Sequence, residues 1–557
     1  MLGVQPPSGR NYGRSMVISR QGIVATSNAL ASQAGARILA RGGSAVDAAI
    51  AANAVLGLVE PMMCGLGGDL FAMFWNAKTG KLTGLNASGP APRALSRDFV
   101  ASRGIASMAD AGVHAVTVPG AVDGWAQMHA RFGKLPWGDL FHSAIAYASE
   151  GFPVTEIAQG LWCEPALIAK LQALPESARV FFGSGRAPEQ GDLFRNPDLA
   201  ACYRLLAREG AEAFYKGPIA SAILQTIGPF GSLMTAGDLV SFSSEWVDPI
   251  SIDYRGWRVF ELPPNGQGLA ALEMLNVMEA FGAPEGAGLA SHEATPPPRT
   301  SWPFTAGELH RRIESMKLAY ADAYRYNADP RVARVPLATL LSKQHAQERA
   351  RLIDPRRAAS DVPPAAVPTS DTVYLTAVDR EGNIASWIQS VYATFGSGIV
   401  VEGRGFALQN RGAGFSLDPR HPNVLAGGKR PYHTIIPGFM ERGDLHIGFG
   451  IMGGANQPLA HAQFVSNVVD YGMNLQQAVE APRFFKGGPS GADVAVEARI
   501  AESTLAELAE RGHLINLRPE YSQEMGRGQA VLHNTATRTN FSASDPRADG
   551  AATPEGI

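Results

Sequence analysis

Cysteine is scarce in this sequence, which also lacks a long apolar run and an excess of either charge. Three cysteines occur among 557 residues, Cys64, Cys163 and Cys202, and they form no CxxC pair. This spacing argues against a disulfide framework or a zinc motif and favours reduced, buried thiols. No apolar stretch reaches about 18 residues, and no basic start is followed by an apolar run. We therefore expect a soluble, cytoplasmic protein without a membrane span or a signal peptide.

The charges of the chain are nearly balanced. It carries 48 Lys and Arg residues against 51 Asp and Glu residues, for a formal net charge of -3. This balance lacks the basic surplus that is typical of proteins that bind nucleic acid, and it gives no reason to expect binding to anionic membranes. Hydrophobic residues make up 45% of the chain, which is ample for a large core. We therefore expect a globular protein that acts on a small molecule.

The first part of the chain contains recognisable local patterns. Small side chains fill residues 44–60 and predict a helix that packs closely against its neighbours. The glycine-rich stretch 64–69 matches neither phosphate-binding pattern, GxGxxG or GxxxxGKS/T, so we interpret it as a tight turn before a buried strand at 70–75. Residues 283–304 have the composition of a surface insertion, and residues 310–326 predict an amphipathic helix.

The sequence pattern changes abruptly at Thr372. Residues 355–371 hold four prolines and mostly small or polar residues, which predict an exposed, irregular segment. Residues 372–378 then predict a strand, residues 379–383 a turn, and residues 384–391 a second strand. A hairpin therefore begins at a threonine directly after a linker. On this pattern alone, an ordinary linker between two domains is the favoured interpretation.

Ten short motifs occur in a characteristic order over nearly the whole chain. They are GGSAVDAAIAANAVLGLVEP (42–61), VPGAVDGW (118–125), LPPNGQG (262–268), ESMKLAYADAYRY (314–326), DTVYLTAVDREGN (371–383), FGSGIVV (395–401), NRGAGFSLDP (410–419), GKRPYHTIIP (428–437), GIMGG (450–454) and ASDPRADG (543–550). Each motif alone is weak evidence, but together they are highly specific. They resemble the γ-glutamyltransferase (glutathione hydrolase) family of N-terminal nucleophile hydrolases.

The resemblance implies both a fold and a maturation step. The fold would be α+β, a four-layer αββα sandwich with two central sheets between helices. The precursor would cut itself between Asp371 and Thr372, giving a large subunit of residues 1–371 and a small subunit of residues 372–557 that form one compact unit. The resemblance implies no cofactor and no metal. Whether two processed heterodimers associate into a dimer is left open by the sequence.

The resemblance also makes Thr372 the nucleophile. Its hydroxyl would attack the carbonyl of Asp371, the acyl group would shift from nitrogen to oxygen, and water would open the resulting ester. The released α-amine, with a reference pKa of about 7.7–8.0, would then act as a general base on the hydroxyl of the same residue. One residue would thus supply both nucleophile and base, and the substrate would be an amide.

Two further motifs match the catalytic surroundings of the nucleophile in the family. Gly453 and Gly454 correspond to the pair whose backbone N–H groups stabilise the tetrahedral oxyanion, and glycine allows such donors to approach the reacting carbonyl closely. Ser390 corresponds to a hydroxyl that hydrogen-bonds the nucleophile. Without the resemblance, a simple turn and an ordinary strand serine would explain these residues equally well.

The chain departs from the family at the positions that hold the glutamyl group. The corresponding residues here are Ser88 (or Arg93, if the alignment slips), Tyr392, Arg411, Gly414 and the pair His433–Thr434. The usual arginine and aspartate partners of an amino-acid head are therefore missing, and each charge-assisted hydrogen bond to such a head contributes about 1.5–3 kcal/mol. We expect poor discrimination in favour of glutathione.

Three features of this pocket have competing interpretations. Arg411 is either a new clamp for a substrate carboxylate or part of a surface or structural ion pair. His433 is interpreted as pocket wall or a core histidine rather than a catalytic base, since Thr372 brings its own amine. The segment 415–429 is short and lacks a lid loop, as in the branch that contains cephalosporin or glutaryl acylases and oxamate amidohydrolase.

The sequence therefore leaves two enzyme functions and one alternative. The first is a γ-glutamyltransferase-like or glutathione hydrolase-like amidohydrolase or acyltransferase with relaxed specificity. The second is a non-glutamyl amidase, such as a cephalosporin or glutaryl acylase or an oxamate amidohydrolase. The alternative is an unprocessed binding protein, because Val373 stands where many members carry a second threonine.

Overall fold

The computed structural model describes residues 11–183, 185–284, 302–360, 362 and 371–556. Most of the insertion expected at 283–304, and the second half of the linker expected at 355–371, lie outside these residues. The described chain mixes helices with largely antiparallel sheets, as the predicted α+β class requires.

The strands are short and distributed along the whole chain. They are β1 Val17–Ser19, β2 Ile23–Thr26, β3 Asp69–Asn76, β4 Lys81–Ala87, β5 Phe152–Pro153, β6 Leu193–Phe194, β7 Glu245–Val247, β8 Ile250–Tyr254, β9 Trp257–Glu261, β10 Asp371–Val378, β11 Ile384–Tyr392, β12 Gly438–Arg442, β13 Leu445–Met452, β14 Phe484–Phe485, β15 Asp493–Glu497, β16 Leu514–Arg518, β17 Arg527–Asn534, β18 Thr539–Ser544 and β19 Ala551–Pro554.

The helices cluster in the first two thirds of the chain. They are α1 Ala29–Ala40, α2 Ala45–Val59, α3 Arg97–Ser102, α4 Ala121–Phe132, α5 His142–Glu150, α6 Glu156–Trp162, α7 Pro165–Gln172, α8 Pro175–Phe181, α9 Pro197–Glu209, α10 Glu212–Tyr215, α11 Pro218–Ile227, α12 Ala236–Val240, α13 Gly268–Glu279, α14 Ala306–Tyr326, α15 Leu337–Leu340, α16 Lys343–Ala350, α17 Gln457–Val469, α18 Leu475–Glu480 and α19 Glu502–Glu510. None of the helices in the described ranges is long and apolar enough to cross a membrane.

Two seven-stranded sheets form the centre of the molecule. Sheet I has the order β1-β18-β17-β13-β12-β9-β8, and sheet II has the order β19-β2-β10-β11-β3-β4-β7. Strands β10 and β11 of sheet II contact β13 of sheet I, and β10 also contacts β17, so the two sheets pack against each other. Helices α1, α2 and α4 contact sheet II, whereas α13, α17 and α18 contact sheet I.

Helix α2 confirms the prediction for residues 44–60. Its N-terminus is fixed by a capping box, in which the Ser44 hydroxyl accepts from the Asp47 N–H at 3.1 Å and the Asp47 carboxylate accepts from the Ser44 N–H at 2.9 Å. Every residue of α2 is buried. The many alanines explain this, because a helix with small side chains can approach the sheet and its neighbours from all sides.

The predicted hairpin is present at the centre of sheet II. Its turn is closed by Asp379, whose carboxylate accepts from the N–H groups of Glu381 and Asn383 at 3.0 Å each. Strand β10 pairs with β2 on one side and with β11 on the other, so strands from both ends of the linker share one sheet. This pairing argues against an ordinary linker between two separate domains, and the division into subunits at Thr372 stays a prediction.

The close approach of the two sheets depends on a glycine opposite a tyrosine. A β-carbon at Gly450 of β13 would lie 2.4 Å from ring carbons of Tyr374 on β10. Tyr374 is fully buried, and its hydroxyl lies 2.8 Å from the Ser386 hydroxyl, so the ring cannot turn away without losing this contact. Glycine at 450 thus determines how closely β10 can lie over β13.

We predict that Gly450→Ala destabilises the protein by about 1–3 kcal/mol, because overpacking forces the sheets apart. Thermal unfolding followed by calorimetry would measure the effect. Gly160→Ala is the matched control, since a β-carbon at Gly160 in α6 meets nothing within 4 Å. The control should be neutral or stabilising. Equal melting temperatures for the two variants would contradict the proposed packing constraint.

Candidate active site

Thr372 lies at the start of the central strand β10 and is 1% exposed. The pairing of β10 with β11 is irregular at this point. Asp371 faces Tyr392 and Val373 faces Gln389, so Thr372 lies opposite the two residues Ser390 and Val391. This bulge opens the ladder locally beside Thr372. The structure thus brings Ser390 next to Thr372, and a hydrogen bond between their hydroxyls stays a prediction.

The Thr372 hydroxyl has a partner that the sequence analysis did not identify. The side-chain amide of Gln457 donates to Thr372 Oγ1 at 3.3 Å, while its oxygen accepts from the Ile436 N–H at 3.1 Å. Because the oxygen is engaged with a backbone N–H, the NH₂ group must face the threonine. Gln457 is fully buried as the first residue of α17. The sequence feature that could have identified Gln457 is its position at the start of a helix, directly after a glycine turn.

The predicted glycine pair forms a sharp turn between β13 and α17. Gly453 has φ +142° and Gly454 has φ +59°, and both values favour glycine. A β-carbon at Gly453 would lie 3.2 Å from Gly526 Cα, so a larger residue has little room. Within the described chain, neither glycine N–H donates a hydrogen bond, whereas the Gly454 carbonyl accepts from Gln267 at 2.8 Å. Two backbone donors are therefore available near Gln457.

Arg411 binds the hydroxyl groups next to Thr372. One guanidinium nitrogen donates to Ser390 Oγ at 3.1 Å and another donates to Thr434 Oγ1 at 2.7 Å. The guanidinium also lies over the Tyr392 ring, with its carbon 4.3 Å from the ring centroid. Tyr392 adopts φ +80°, an unusual conformation for a residue with a side chain, and its buried hydroxyl lacks a partner in the described chain.

Arg411 is a fully buried cation without an adjacent carboxylate. Its side chain is 0% exposed, and no carboxylate oxygen of the described residues lies within 4.0 Å of its nitrogens. Burial lowers the pKa of Arg411 to about 10, so the group is still charged at neutral pH. The interpretation of Arg411 as part of a surface or structural ion pair thus finds no bonded carboxylate among the described residues. Such a cation would gain from an anionic ligand, because buried charges are normally paired.

His433 and Asp69 form a buried pair near the Arg411 guanidinium. The Ile435 N–H donates to His433 Nδ1 at 3.3 Å, so His433 Nε2 carries the proton and donates to the Asp69 carboxylate at 3.0 Å. Burial holds the pKa of His433 well below its usual range and raises the pKa of Asp69 to about 7. Asp69 also pairs with Ser390 in the register of β3 and β11. The geometry fits the interpretation of His433 as a neutral core histidine.

The remaining predicted pocket residues lie in two different environments. Ser88 is buried, and its hydroxyl donates to Asn86 at 2.7 Å in a group that also contains Asn265. Arg93 is exposed and its guanidinium donates to Ser241 at 2.6 Å. Neither side chain contacts the Arg411 guanidinium. The structure therefore assembles Thr372, Ser390, Arg411, Tyr392 and Thr434, with His433 and the glycine pair adjacent.

Two groups of metal-ligand type occur elsewhere in the described residues. They are His310–Glu314–His513 and Glu273–Asp322–His345. A basic side chain already binds a carboxylate in each group, Lys317 on Glu314 at 2.7 Å and Arg349 on Asp322 at 2.7 Å. These contacts fit ion networks that hold α13, α14 and α16 together.

Comparison with known proteins gives one consistent result. The family model described as Gamma-glutamyltranspeptidase matches residues 31–555. The glutathione hydrolase-like YwrD proenzyme of Bacillus subtilis is 35% identical over 96% of this chain and 99% of its own length. The oxamate amidohydrolase proenzyme of Klebsiella pneumoniae is 32% identical over 96% of this chain and 98% of its own length.

The similarity extends to solved structures. The crystal structure of cephalosporin acylase from Bacillus halodurans aligns with a TM-score of 0.88 and 39% identity, covering 100% of both chains. The matched names describe hydrolases that act on amide-type bonds, so this protein is an enzyme of the N-terminal nucleophile hydrolase class. The chain belongs to the gamma-glutamyltranspeptidase family.

The raised pKa of Asp69 gives a prediction for the pH dependence of stability. An unfolded aspartate titrates near about 3.9, so between about pH 4 and pH 7 the folded protein holds a proton that the unfolded chain releases. Stability therefore falls as the pH rises through this window. We expect Asp69→Asn, which cannot ionise, to show a smaller fall in melting temperature between about pH 4.5 and pH 7.5 than the wild type.

The exposed Asp110 provides the control for this experiment. Asp110→Asn should retain the wild-type slope of melting temperature against pH. An Asp69→Asn variant with that same slope would contradict the raised pKa of Asp69.

Proposed function

We propose that this protein is an autoprocessing threonine amidohydrolase that is cut between Asp371 and Thr372. The observation that carries the proposal is the contact of the Thr372 hydroxyl with the buried Gln457 amide, beside the Gly453–Gly454 turn. A donor to Oγ1 leaves the hydroxyl proton free for transfer to a base. Similar proteins named as proenzymes lend further support.

Self-cleavage would proceed by an acyl shift. Thr372 Oγ1 attacks the carbonyl carbon of Asp371, the bond from that carbon to the Thr372 nitrogen breaks, and the nitrogen gains a proton. Water then hydrolyses the ester, releasing an Asp371 carboxyl group and a Thr372 with a free α-amine and hydroxyl. The cut creates the small subunit 372–557 and leaves the large subunit 1–371.

The mature site would use the same atoms on an external amide. The Thr372 amine takes the proton from the hydroxyl, and the hydroxyl oxygen attacks the substrate carbonyl. The carbon–nitrogen bond of the amide then breaks, the leaving amine takes that proton from the Thr372 amine, and an acyl-enzyme ester remains. The N–H groups of Gly453 and Gly454 would hold the oxyanion, and loss of one such donor typically costs about 2.7–4 kcal/mol. Ser390, opposite Thr372, would hydrogen-bond the nucleophile. Water, or an amine acceptor, then takes the acyl group.

The two subunits would stay together as one four-layer αββα unit. Strand β10 of the small subunit pairs with β2 of the large subunit, and β11 pairs with β3, so sheet II contains strands from both. Helices contact sheet I and sheet II separately, and the sheets contact each other. Cutting the chain before Thr372 removes no hydrogen bond of these ladders except near Asp371.

We infer that the acyl half of the substrate carries a carboxylate that pairs with Arg411. The guanidinium is buried and charged, and among the described residues it bonds to the hydroxyls of Ser390 and Thr434 and lies over the Tyr392 ring. A planar guanidinium binds a carboxylate through two parallel hydrogen bonds, and the Arg411 Nε, which has no partner among the described residues, is available as one of the two donors. γ-Glutamyl, glutaryl and oxamate groups all meet this requirement.

Two of these acyl classes are favoured by different observations. The similarity to a glutathione hydrolase-like protein favours γ-glutamyl amides. The surroundings of Arg411 favour acyl groups without an α-amine, such as glutaryl or oxamate, because the nearby acid Asp69 is already bonded to His433, Gln409 and the N–H groups of Gly89 and Gly120. An α-ammonium group would find no available carboxylate there.

We predict that the purified wild-type protein gives two bands on a denaturing gel, the smaller beginning Thr-Val-Tyr-Leu. Thr372→Ala should give a single band near 59.0 kDa, because it lacks the attacking hydroxyl. Gln457→Leu should slow the conversion in a time course. A wild-type chain that stays uncut would overturn self-cleavage and favour an unprocessed binding protein.

We predict that Arg411→Met lowers kcat/KM about 10- to 100-fold for γ-glutamyl, glutaryl and oxamate amides, since it removes the carboxylate partner. The same variant should lose little activity on the butyryl amide, which lacks the carboxylate. The control is Arg93→Met on the surface. Equal losses on charged and uncharged acyl groups would show that Arg411 is structural. A clear preference of the wild type for γ-glutamyl over glutaryl amides would reject the class of acyl groups without an α-amine.

A further inference from the structure

Strands β12 and β13 separate just before the candidate active site. Their last pair is Gly438 with Phe449, and at the same register Ile436 would face Ile451. The intervening Pro437 has no N–H to donate to a ladder. Both isoleucines are buried, so their backbone N–H groups need acceptors other than the opposite strand.

Helix α17 supplies these acceptors from one face. The Gln457 side-chain oxygen accepts from the Ile436 N–H at 3.1 Å, and His461 Nε2 accepts from the Ile451 N–H at 3.2 Å. Gln457 and His461 are four residues apart, so they lie one turn apart on the same face of the helix. Two side chains of α17 thus replace the bonds between the strands. Because the Gln457 amide also donates to Thr372, this separation lies beside the nucleophile.

A buried carboxyl group fixes the tautomer of His461. His461 Nδ1 lies 2.7 Å from Oε1 of Glu261, the last residue of β9. Because Nε2 accepts from a backbone N–H, the ring proton is on Nδ1 and is donated to Glu261. Both side chains are buried, and burial lowers the pKa of His461 to about 3 and raises the pKa of Glu261 well above its usual range. The imidazole is therefore neutral near pH 7, and its Nε2 remains an acceptor.

The hydrogen bond to His461 lies two residues before Gly453. Ile451 also pairs with Gly528 of β17, so the backbone of β13 is held from both edges at this point. Gly453 and Gly454 have no side chains that could fix their backbone angles. The direction of their N–H groups therefore depends on the last fixed residue before the turn and on the start of α17 after it. His461 fixes the first of these and belongs to the second.

We propose that Glu261 and His461 position the Gly453–Gly454 turn so that its N–H groups face the substrate carbonyl. Both are positioning residues, since Glu261 orients the His461 ring and His461 fixes the backbone before the turn. The inference rests on the proposed function, because it takes the two glycine N–H groups as the oxyanion donors. A pair that only held α17 to β9 would contribute to stability and leave the rate of the chemical steps unchanged.

The test compares glutamine with leucine at each position, because the glutamine oxygen can still accept the hydrogen bond and leucine cannot. Activity per processed chain is measured on γ-glutamyl p-nitroanilide, glutaryl p-nitroanilide or oxamate, whichever the wild type hydrolyses fastest. His461→Leu and Glu261→Leu should each lower kcat about 10- to 100-fold, because the oxyanion donors are displaced. KM should stay within about twofold, since acylation and deacylation both pass through the oxyanion. His461→Gln and Glu261→Gln should keep kcat within about threefold of wild type.

His533→Leu is the matched control. His533 is a buried histidine near the end of β17 that is remote from the glycine turn, and its Nδ1 lies 2.7 Å from Asn540 Oδ1. This variant should lower the melting temperature and leave kcat per processed chain unchanged.

The outcomes separate the positioning role from the proposed function. Equal kcat for the glutamine and leucine variants at both positions, or leucine variants that change only the melting temperature, would show that the pair is structural while the proposed function stands. For a leucine variant that stays largely uncut, the rate of self-cleavage is compared instead, and the glutamine variant should be faster. A wild-type chain that neither cuts itself nor hydrolyses any of the three compounds overturns the proposed function itself.

Discussion

The pairing of β10 at the centre of sheet II is the constraint on which the other features depend. Strand β10 pairs with β11 from Val373 to Val378 and with β2 from Leu375 to Val378, so Thr372 lies directly before a stretch of chain that is fixed on both sides. The same pairing would keep the two halves of the chain together afterwards. Tyr374, two residues on, lies against Gly450 of β13, the strand that leads into the Gly453 turn.

The titratable groups around this strand are buried and hydrogen-bonded, and they do not form exposed ion pairs. His433 is neutral and gives its hydrogen bond to Asp69, whose other oxygen accepts from two backbone N–H groups and from Gln409. Among the described residues, this arrangement leaves Arg411 with the hydroxyls of Ser390 and Thr434 and the Tyr392 ring as partners. Because a buried cation without a bonded carboxylate is costly, an anionic ligand at this position would be stabilised. Specificity for an anionic substrate would thus follow from the missing partner charge of Arg411.

Local patterns predicted local structure well. Helix α2, the strand β3 and the hairpin β10–β11 follow from alanine content, apolar runs and turn residues that act within a few positions of each other. The residues that surround Thr372 were harder to find. Gln457 is 85 positions from Thr372 along the chain and Asp69 is 364 from His433. Apart from the place of Gln457 at a helix start directly after a glycine turn, nothing in the sequence near these residues distinguishes them from ordinary helix and strand positions.

By itself the sequence determined the family, the threonine at the head of β10 and the glycine pair, because motif identity and glycine backbone freedom are properties of short segments. Only the tertiary structure decided which side chains meet at Thr372. It showed that Arg411 is buried with no carboxylate of the described residues beside it, and that His433 donates to Asp69. Burial and pairing depend on strands that are distant in the chain, and sheet packing brings them together.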